Sequence, residues 1–310
     1  TARTASATSA VTCCRPMPMP SSLNLFAFTV SFQRGCGAHH TEHGAATPAG
    51  RARIVGMNSA TAPYELTPTR FPGVTLVGGG PGDVDLITVA GLRALLGADV
   101  VIHDRLGPVA LLDGLPEHVE LINVAKVPRG AFTPQETINE LLLEHARAGK
   151  VVVRLKGGDG FVFGRGFEEL LFLREAGIPV RVVPGLSSSI SVPGLAGIPV
   201  THRGMVHEFT VVSGHIAPGH PDSLVDWPAL AQLKGTLVLM MAVENAGRIA
   251  AALLEGGRSV DQPVAVICDW SMPTERVLRT TLGELDAFIG AEDVRPPAII
   301  VIGDVTTLDV

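Results

Sequence analysis

Three glycines and an aspartate stand together in the run Lys-Gly-Gly-Asp-Gly-Phe at 156–161. Glycine allows positive φ and lets a ligand approach the main chain without meeting a Cβ atom, while the aspartate supplies a fixed acceptor. A short buried strand is predicted over 151–155 before this loop, and a helical pattern over 166–176 follows it. Because ligands bind at the carboxyl ends of strands in open α/β sheets, we expect a binding site here. A strand-to-helix turn capped by the aspartate is the alternative.

Four side chains that can exchange a proton follow predicted strands or lie in the loops between them: His103, Asp104, Asp159 and His202. A carboxylate or an imidazole at such an edge could serve as a general acid or base. Each could instead cap a helix, close a turn or form a surface ion pair, so the residue types alone leave both interpretations open.

A second glycine-rich turn, Gly-Gly-Gly-Pro-Gly-Asp at 78–83, follows the strand pattern of 73–77. It fits the dinucleotide-binding pattern poorly, because Asp83 stands where a third glycine is needed and Pro81 has no amide donor. A carboxylate is also unfavourable beside a pyrophosphate. The turn therefore favours an uncharged or cationic ligand group and argues against a nucleotide-dependent oxidoreductase.

The chain has 310 residues, of which 46% are hydrophobic and 17% charged, and its net charge is −6. The first 70 residues carry a net charge of +4, so residues 71–310 carry −10, and this acidic body argues against a nucleic-acid-binding surface. No apolar run reaches the roughly 18 residues of a membrane helix. The four cysteines, at 13, 14, 36 and 268, show neither a disulfide framework nor zinc-type spacing. We therefore expect a cytoplasmic protein without a metal site.

Residues 1–70 show no sustained helical or strand period and are rich in Arg, Ser and Thr. This composition resembles a transit peptide, but it is also typical of a disordered tail or of translated sequence upstream of a true start at Met57. We expect one of the latter two, and we expect the first 56 residues to be dispensable.

The rest of the chain divides into two predicted α/β domains. Over 71–204 strands and helices alternate, which predicts a mainly parallel sheet with right-handed crossovers. Over 205–310 the strand patterns 264–267 and 276–280 have no helix between them, which predicts a mixed sheet. Within the first domain, the run Thr-Pro-Gln-Glu at 133–136 predicts a capping box at the start of a helix.

Five motifs, in this order and spacing, closely resemble the uroporphyrinogen III C-methyltransferases of the tetrapyrrole methylase superfamily. This resemblance covers residues 73–305 and implies a homodimer of two-domain α/β subunits with the cofactor S-adenosylmethionine between the domains. The implied reaction methylates C2 and C7 of uroporphyrinogen III to precorrin-2, for siroheme and cobalamin biosynthesis. The motifs are GGGPGD at 78–83, HDRL at 103–106, RLKGGDGFVFGRG at 154–166, VPGLSSS at 183–189 and GIPVTHRG at 197–204.

The resemblance also assigns roles to matching positions. Asp104 and Lys126 match the proposed catalytic pair of the family. The cations and polar groups expected to bind the carboxylates of the substrate are Arg129, Thr201, His202 and Arg203. The cofactor contacts that the resemblance implies are Pro81, Gly157, Gly158, Asp159, Val162, Ser187, Ser188, Met241 and Trp270.

The sequence departs from the family pattern at three places. Gly160 stands where the family usually has proline, and Ser187 with Ser188 replaces a common Thr-Ala pair. These changes are compatible with contacts made mainly by the main chain. Trp270 replaces a small glycine or alanine, and its bulk is harder to accommodate beside a cofactor. Core packing is the alternative interpretation of Met241.

Other functions remain open at this point. A related methylase could act on a later corrin intermediate, on a protein or on ribosomal RNA, although the acidic body opposes RNA. A catalytically silent binding module is a further alternative, against which the retained Asp104 and Lys126 argue.

Overall fold

The computed structural model describes residues 66–125 and 133–308, which form two five-stranded sheets. In the first sheet the strand order is β3-β2-β4-β1-β5, and every neighbouring pair is parallel. All carboxyl ends therefore meet at one edge, as the alternating pattern predicts. The strands are β1 (Gly73–Gly78), β2 (Val100–His103), β3 (Glu120–Asn123), β4 (Val151–Lys156) and β5 (Val180–Val183).

The second sheet has the order β6-β7-β10-β8-β9 and is mixed. Only the β6 and β7 pair is parallel, while β10 runs antiparallel to both of its neighbours and β8 antiparallel to β9. The prediction of one parallel and one mixed sheet is confirmed. The strands are β6 (Phe209–Ser213), β7 (Thr236–Met240), β8 (Pro263–Cys268), β9 (Arg276–Thr281) and β10 (Ala298–Ile302).

Seven α-helices occur in the described ranges, and short 3-10 turns separate some of them from the strands. None of the helices described has the length and apolar composition needed to cross a membrane. The helices are α1 (Val89–Leu96), α2 (Gln135–Arg147), α3 (Gly166–Glu175), α4 (Ser188–Leu195), α5 (Trp227–Gln232), α6 (Ala246–Glu255) and α7 (Leu285–Ala291).

The start of α2 differs from the prediction. Pro134 occupies the N-cap position and no side chain caps the helix there, so the capping box expected from Thr133 is not formed. The Gln135 side chain donates hydrogen bonds to Asn139 Oδ1 at 3.1 Å and to Glu169 Oε1 at 3.2 Å. Gln135, the first residue of α2, thus contacts both its own helix and Glu169 of α3.

Helix α4 was not predicted, since its sequence contains three serines, Pro193 and a glycine. Ser187 caps it by accepting a hydrogen bond from the Ser189 N–H at 3.4 Å. Val192 of α4 and the following Ile198 are buried in one cluster with Val238 and Ile267 of the second sheet. The last helix of the first predicted domain therefore packs on the second sheet and joins the two halves.

The chain is attached to the body before β1 begins. The Thr69 N–H donates to the Arg93 carbonyl at 2.8 Å, and the Arg70 guanidinium contacts both carboxylate oxygens of Asp99, at 2.9 and 2.8 Å. Asp99 also accepts the Val151 N–H at 2.8 Å, which fixes the start of β4.

Candidate active site

Three loops at the carboxyl edge of the first sheet are joined through their main chains. Gly80 and Gly158 exchange two hydrogen bonds, of 2.7 Å and 3.1 Å, and the Gly79 N–H donates to the Lys156 carbonyl at 2.7 Å. The third loop joins them where the Gly185 N–H donates to Asp159 Oδ2 at 3.2 Å. The loops after β1, β4 and β5 thus form one cradle whose walls are largely backbone.

The glycines of this cradle are required for two different reasons. A β-carbon at Gly157 would lie 2.5 Å from Leu106 Cβ, and one at Gly185 would lie 2.3 Å from the Gly158 carbonyl oxygen. At Gly158, where φ is +65°, the nearest atom would be Ser188 N, 3.8 Å away. Gly157 and Gly185 therefore permit the protein's own packing, whereas the space beside the Gly158 Cα atom is open.

The Asp159 carboxylate holds the loop together. Its Oδ1 accepts the N–H groups of Phe161 at 2.8 Å and Val162 at 3.2 Å, while Oδ2 accepts that of Gly185. The sequence predicted a fixed acceptor at this position, and these bonds show how it is fixed. Any effect of Asp159 on a ligand is exerted in part through the shape of the two loops that it joins.

Asp104 stands directly after β2 at the same edge. Its Oδ1 accepts the Leu106 N–H at 3.0 Å and the Gly157 N–H at 3.2 Å, and 26% of its side chain is exposed. One carboxylate thus closes its own turn and also touches the glycine loop, while part of the side chain remains exposed. Both interpretations of Asp104 from the sequence, turn and acid or base, are compatible with this geometry.

Beneath these loops lies a group of buried charges that the sequence analysis missed. Arg154 and Lys156 of β4 and Glu169 of α3 are 3%, 4% and 0% exposed. Glu169 Oε1 lies 2.8 Å from Lys156 Nζ and 3.3 Å from Arg154 Nε. Desolvation lowers the pKa of Lys156, as does the charge of Arg154, and the Glu169 carboxylate opposes both. The sequence carried a signal for this group, namely two cations at alternate positions of an otherwise apolar strand. Because buried charges are paired, such cations predict a buried acid nearby.

The second sheet contributes loops with strained backbone. Met241, directly after β7, and Asp269 and Ser271, after β8, adopt left-handed conformations with φ of 54°, 52° and 66°. Non-glycine residues in this region carry strain, and such residues cluster at functional sites. Ser271 borders Gly82, where a β-carbon would lie 3.7 Å from Ser271 Cβ. The loops of the two sheets therefore meet at the glycine-rich turn of 78–83.

The chain is similar to proteins of known activity over most of its length. The family model for Tetrapyrrole (Corrin/Porphyrin) Methylases matches residues 73–286. A uroporphyrinogen-III C-methyltransferase of Methanocaldococcus jannaschii is 45% identical over 237 residues, which are 76% of this chain and 97% of the relative. This chain belongs to the tetrapyrrole methylase family.

Solved structures of tetrapyrrole methylases share the fold. The uroporphyrin-III C-methyl transferase from Thermus thermophilus, complexed with S-adenyl homocysteine, has a TM-score of 0.64 and 42% identity, covering 76% of this chain and 99% of that one. The cobalt precorrin-4 methyltransferase CbiF has a TM-score of 0.67 and 27% identity, covering 75% and 95%. The two-domain fold predicted from the motifs is therefore confirmed.

Several cofactor contacts predicted for this tetrapyrrole methylase lie around the cradle. Ser188 begins α4 beside Gly158, and the Ser187 hydroxyl lies 2.8 Å from the Ser189 hydroxyl. Pro81 is half-buried within the turn of 78–83, and Val162 is 37% exposed in the loop after β4. The serine pair that replaces Thr-Ala is thus accommodated at a helix start, where hydroxyl groups are favoured.

Trp270 and Met241 are placed differently from each other. The Trp270 indole is half-buried and packs against the cluster of α4 and the second sheet, together with Met240. Met241, in contrast, is 47% exposed after β7. The large side chain at 270 is therefore accommodated by the core, and a cofactor contact at this position would use its main chain.

The predicted substrate-binding residues Thr201, His202 and Arg203 form an exposed turn. His202 Nδ1 accepts the Gly204 N–H at 3.2 Å, and the Arg203 carbonyl is 2.7 Å from His207 Nε2. The turn is thus held by its own backbone while the Arg203 side chain is exposed. Two further predicted residues, Lys126 and Arg129, lie outside the described residues.

Proposed function

We propose that this protein is an S-adenosylmethionine-dependent methyltransferase that methylates C2 and C7 of uroporphyrinogen III to give precorrin-2. The observation that carries the proposal is the 45% identity to a uroporphyrinogen-III C-methyltransferase, because the similarity spans 97% of that relative. The named catalytic and cofactor motifs all lie within the matched region. We place the enzyme in the cytoplasm, in line with the free thiol of Cys268.

The cradle suits an S-adenosylmethionine molecule better than a nucleotide with a pyrophosphate. Gly158, at φ +65°, leaves open space beside its Cα atom, and Pro81 and Asp83 stand where a phosphate-binding turn would need amides and no carboxylate. When bound, S-adenosylmethionine supplies an electrophilic methyl group on a sulfonium. Gly158, Ser188 and the loops after β7 and β8 would hold it.

The residues of the chain then have two tasks. The cradle must align donor and acceptor carbon for an in-line displacement and exclude water, which is chiefly a matter of positioning. Asp104, part of whose carboxylate is open, accepts the proton that the methylated pyrrole carbon releases. The substrate is ringed with carboxylates, for which the exposed Arg203 supplies a cation.

The decisive experiment is turnover. The protein is incubated under reducing conditions with uroporphyrinogen III and S-adenosylmethionine, and mass spectrometry follows the addition of one and then two methyl groups. Parallel reactions contain cobalt precorrin-4. Methyl transfer to uroporphyrinogen III alone supports the proposal, and transfer to cobalt precorrin-4 alone would overturn it.

The second candidate, methylation of a later corrin intermediate, is favoured by one observation. The TM-score to the cobalt precorrin-4 methyltransferase is 0.67, against 0.64 for the Thermus thermophilus enzyme. The identities point the other way, 27% against 42%. Since substrate choice depends on side chains in the cleft rather than on the course of the backbone, we give the identities more weight.

We also propose a homodimer, in which an exposed apolar patch on α3 contributes to the interface. Phe167 and Leu171, one turn apart, are 56% and 44% exposed, and Phe161 packs edge-on against Phe167 with ring centroids 5.9 Å apart. Contiguous apolar side chains of this kind mark interaction sites. Sedimentation should show a dimer that Phe167→Asp dissociates, whereas a wild-type monomer at micromolar concentrations would refute it.

A further inference from the structure

Strand β4 holds Asp104 at several points. The Asp104 N–H donates to the Leu155 carbonyl at 3.4 Å, which extends the pairing of β2 and β4 by one residue. Gly157, two residues later, donates its N–H to Asp104 Oδ1 at 3.2 Å. Between these contacts, the Arg154 guanidinium reaches Asp104 Oδ2 with one Nη at 3.8 Å. The Gly157 N–H also lies 3.4 Å from Oδ2, so the main chain contacts both carboxylate oxygens, and Arg154 faces Oδ2.

The Arg154 side chain is itself held in place. Its Nε donates to Glu169 Oε1 at 3.3 Å, and one Nη donates to the carbonyls of Leu155 at 2.9 Å and Ile102 at 3.4 Å. With 3% of the residue exposed, the guanidinium has little freedom to move. Because its donors form a rigid planar fork, fixing two nitrogens also fixes the third, which faces Asp104.

The charges of this group balance only when all members are present. Arg154 and Lys156 are two cations, and Glu169 and Asp104 are two carboxylates. Glu169 Oε1 accepts hydrogen bonds from Arg154, Lys156 and Gln135. Its Oε2 is buried without a hydrogen-bond partner in the described structure. A buried charge without a partner is costly, so the second cation is compensated by Asp104 at the edge of the cleft.

We propose that Arg154 is a positioning residue, which holds the Asp104 carboxylate in the orientation that accepts the substrate proton and is anchored for this task by the buried Glu169. The inference rests on the proposed function, in which Asp104 is the proton acceptor. Arg154 touches neither substrate nor cofactor in this assignment. It acts on turnover only through Asp104.

The first test compares two buried arginines. Arg154→Met removes the partner of Asp104, whereas Arg258→Met removes an arginine that is 8% exposed and donates to the Leu233 carbonyl at 2.8 Å beyond α5. Misplacement of a catalytic group costs on the order of 10- to 100-fold. We expect Arg154→Met to lower kcat by about that factor, with the affinity for S-adenosylhomocysteine unchanged. Arg258→Met should lose stability and keep kcat.

The second test combines Arg154→Met with Asp104→Asn. If Arg154 acts through Asp104, the double variant has the same kcat as Asp104→Asn alone, because the group being positioned is already lost. Losses that multiply would show an independent role and overturn the proposal. So would an Arg154→Met enzyme with wild-type kcat.

Two further outcomes are assigned in advance. Should Arg154→Met fail to fold, Arg154→Lys replaces it, since it keeps the charge but loses the fork, and the same non-additivity with Asp104→Asn is required. If wild-type enzyme methylates uroporphyrinogen III but Asp104→Asn is equally active, the positioning proposal falls and the proposed function stands. If the wild type transfers no methyl group to it, the proposed function fails first.

Discussion

The middle strands of the two sheets are equally buried and chemically opposite. All six residues of β4 are buried, and two of them, Arg154 and Lys156, are cations. The middle strand of the second sheet, β10, buries five residues that are all apolar. A charge inside a sheet destabilises the fold unless it is paired. Burying β4 therefore has a desolvation cost in free energy that burying β10 does not have. This difference agrees with our proposal that the reaction takes place at the edge of the first sheet, while the second sheet mainly supports the fold.

The largest expected effect separates the two uses of Asp104. Asp104→Asn keeps an oxygen that can accept the Leu106 and Gly157 N–H groups but removes the base. Turnover should fall by roughly 10² to 10⁴, and the melting temperature should fall modestly because Arg154 loses the opposing charge of Asp104. Asp104→Ala should lose the same turnover and, in addition, about 1 kcal/mol of unfolding free energy. Equal turnover in Asp104→Asn and wild type would reduce Asp104 to a turn residue.

A pair of adjacent glycines tests whether the cradle serves a ligand or the fold. Gly158→Val places a side chain in open space at a strained φ, so binding of S-adenosylhomocysteine should be abolished while the protein stays folded. The matched control, Gly157→Ala, creates a contact of 2.5 Å with Leu106 and should mainly lower the melting temperature. Calorimetry and thermal unfolding on both variants decide this. Unchanged affinity in Gly158→Val would mean that the loop is only a turn.

If the second sheet mainly supports the fold, a substitution in its core should lower stability and leave turnover unchanged. Ile300 lies in the middle of β10 and is fully buried. Ile300→Ala should reduce the unfolding free energy by about 2 to 5 kcal/mol through the cavity it leaves. At a temperature where the variant is folded, its kcat should match wild type. A large fall in kcat there would show that the second sheet does more than support the site.

A smaller gain is expected where the glycine loop departs from the family. No acceptor in the described ranges takes the Gly160 N–H, and a β-carbon there would meet Lys156 Cδ at 3.6 Å, an ordinary contact. Gly160→Pro should therefore stabilise the fold by about 0.4 to 1 kcal/mol by restricting the unfolded chain. Denaturant unfolding measures this. A destabilised variant would show that the native backbone at 160 is incompatible with proline.

The smallest effect concerns acid stability at the other end of β4. The Val151 N–H lowers the pKa of Asp99 most, and Arg70 lowers it further, against a raising effect of desolvation. A carboxyl whose pKa is depressed on folding stabilises the protein above its unfolded pKa of about 4, and this contribution is lost as the pH falls through the folded pKa. The melting temperature of wild type should therefore fall more steeply on acidification than that of Asp99→Asn. Parallel curves would contradict this.

Much of the architecture could be predicted from local patterns. Alternating strands and helices predicted the parallel sheet, two successive strand patterns predicted the mixed one, and glycine-rich turns after strands located the loops that form the cradle. The prediction was wrong at the starts of α2 and α4. The Thr133 capping box is absent because α2 begins one residue later than predicted, with Pro134 at its N-cap position, and α4 was missed because Val192 and the apolar residues after it pack on the distant second sheet. The roles assigned to individual site residues stay predictions.

The sequence by itself determined that strands end in glycine-rich loops and that Asp104 follows a strand, because these properties belong to residues close together in the chain. Only the tertiary structure decided which glycine has room for a side chain. A β-carbon at Gly157 would collide with Leu106, whereas one at Gly158 would not. The tertiary structure also decided the surroundings of Asp104, whose contact with Gly157 joins residues 53 positions apart. Hydrogen bonds and burial between distant segments depend on how the strands are ordered in the sheet, and that order is not visible in any local pattern.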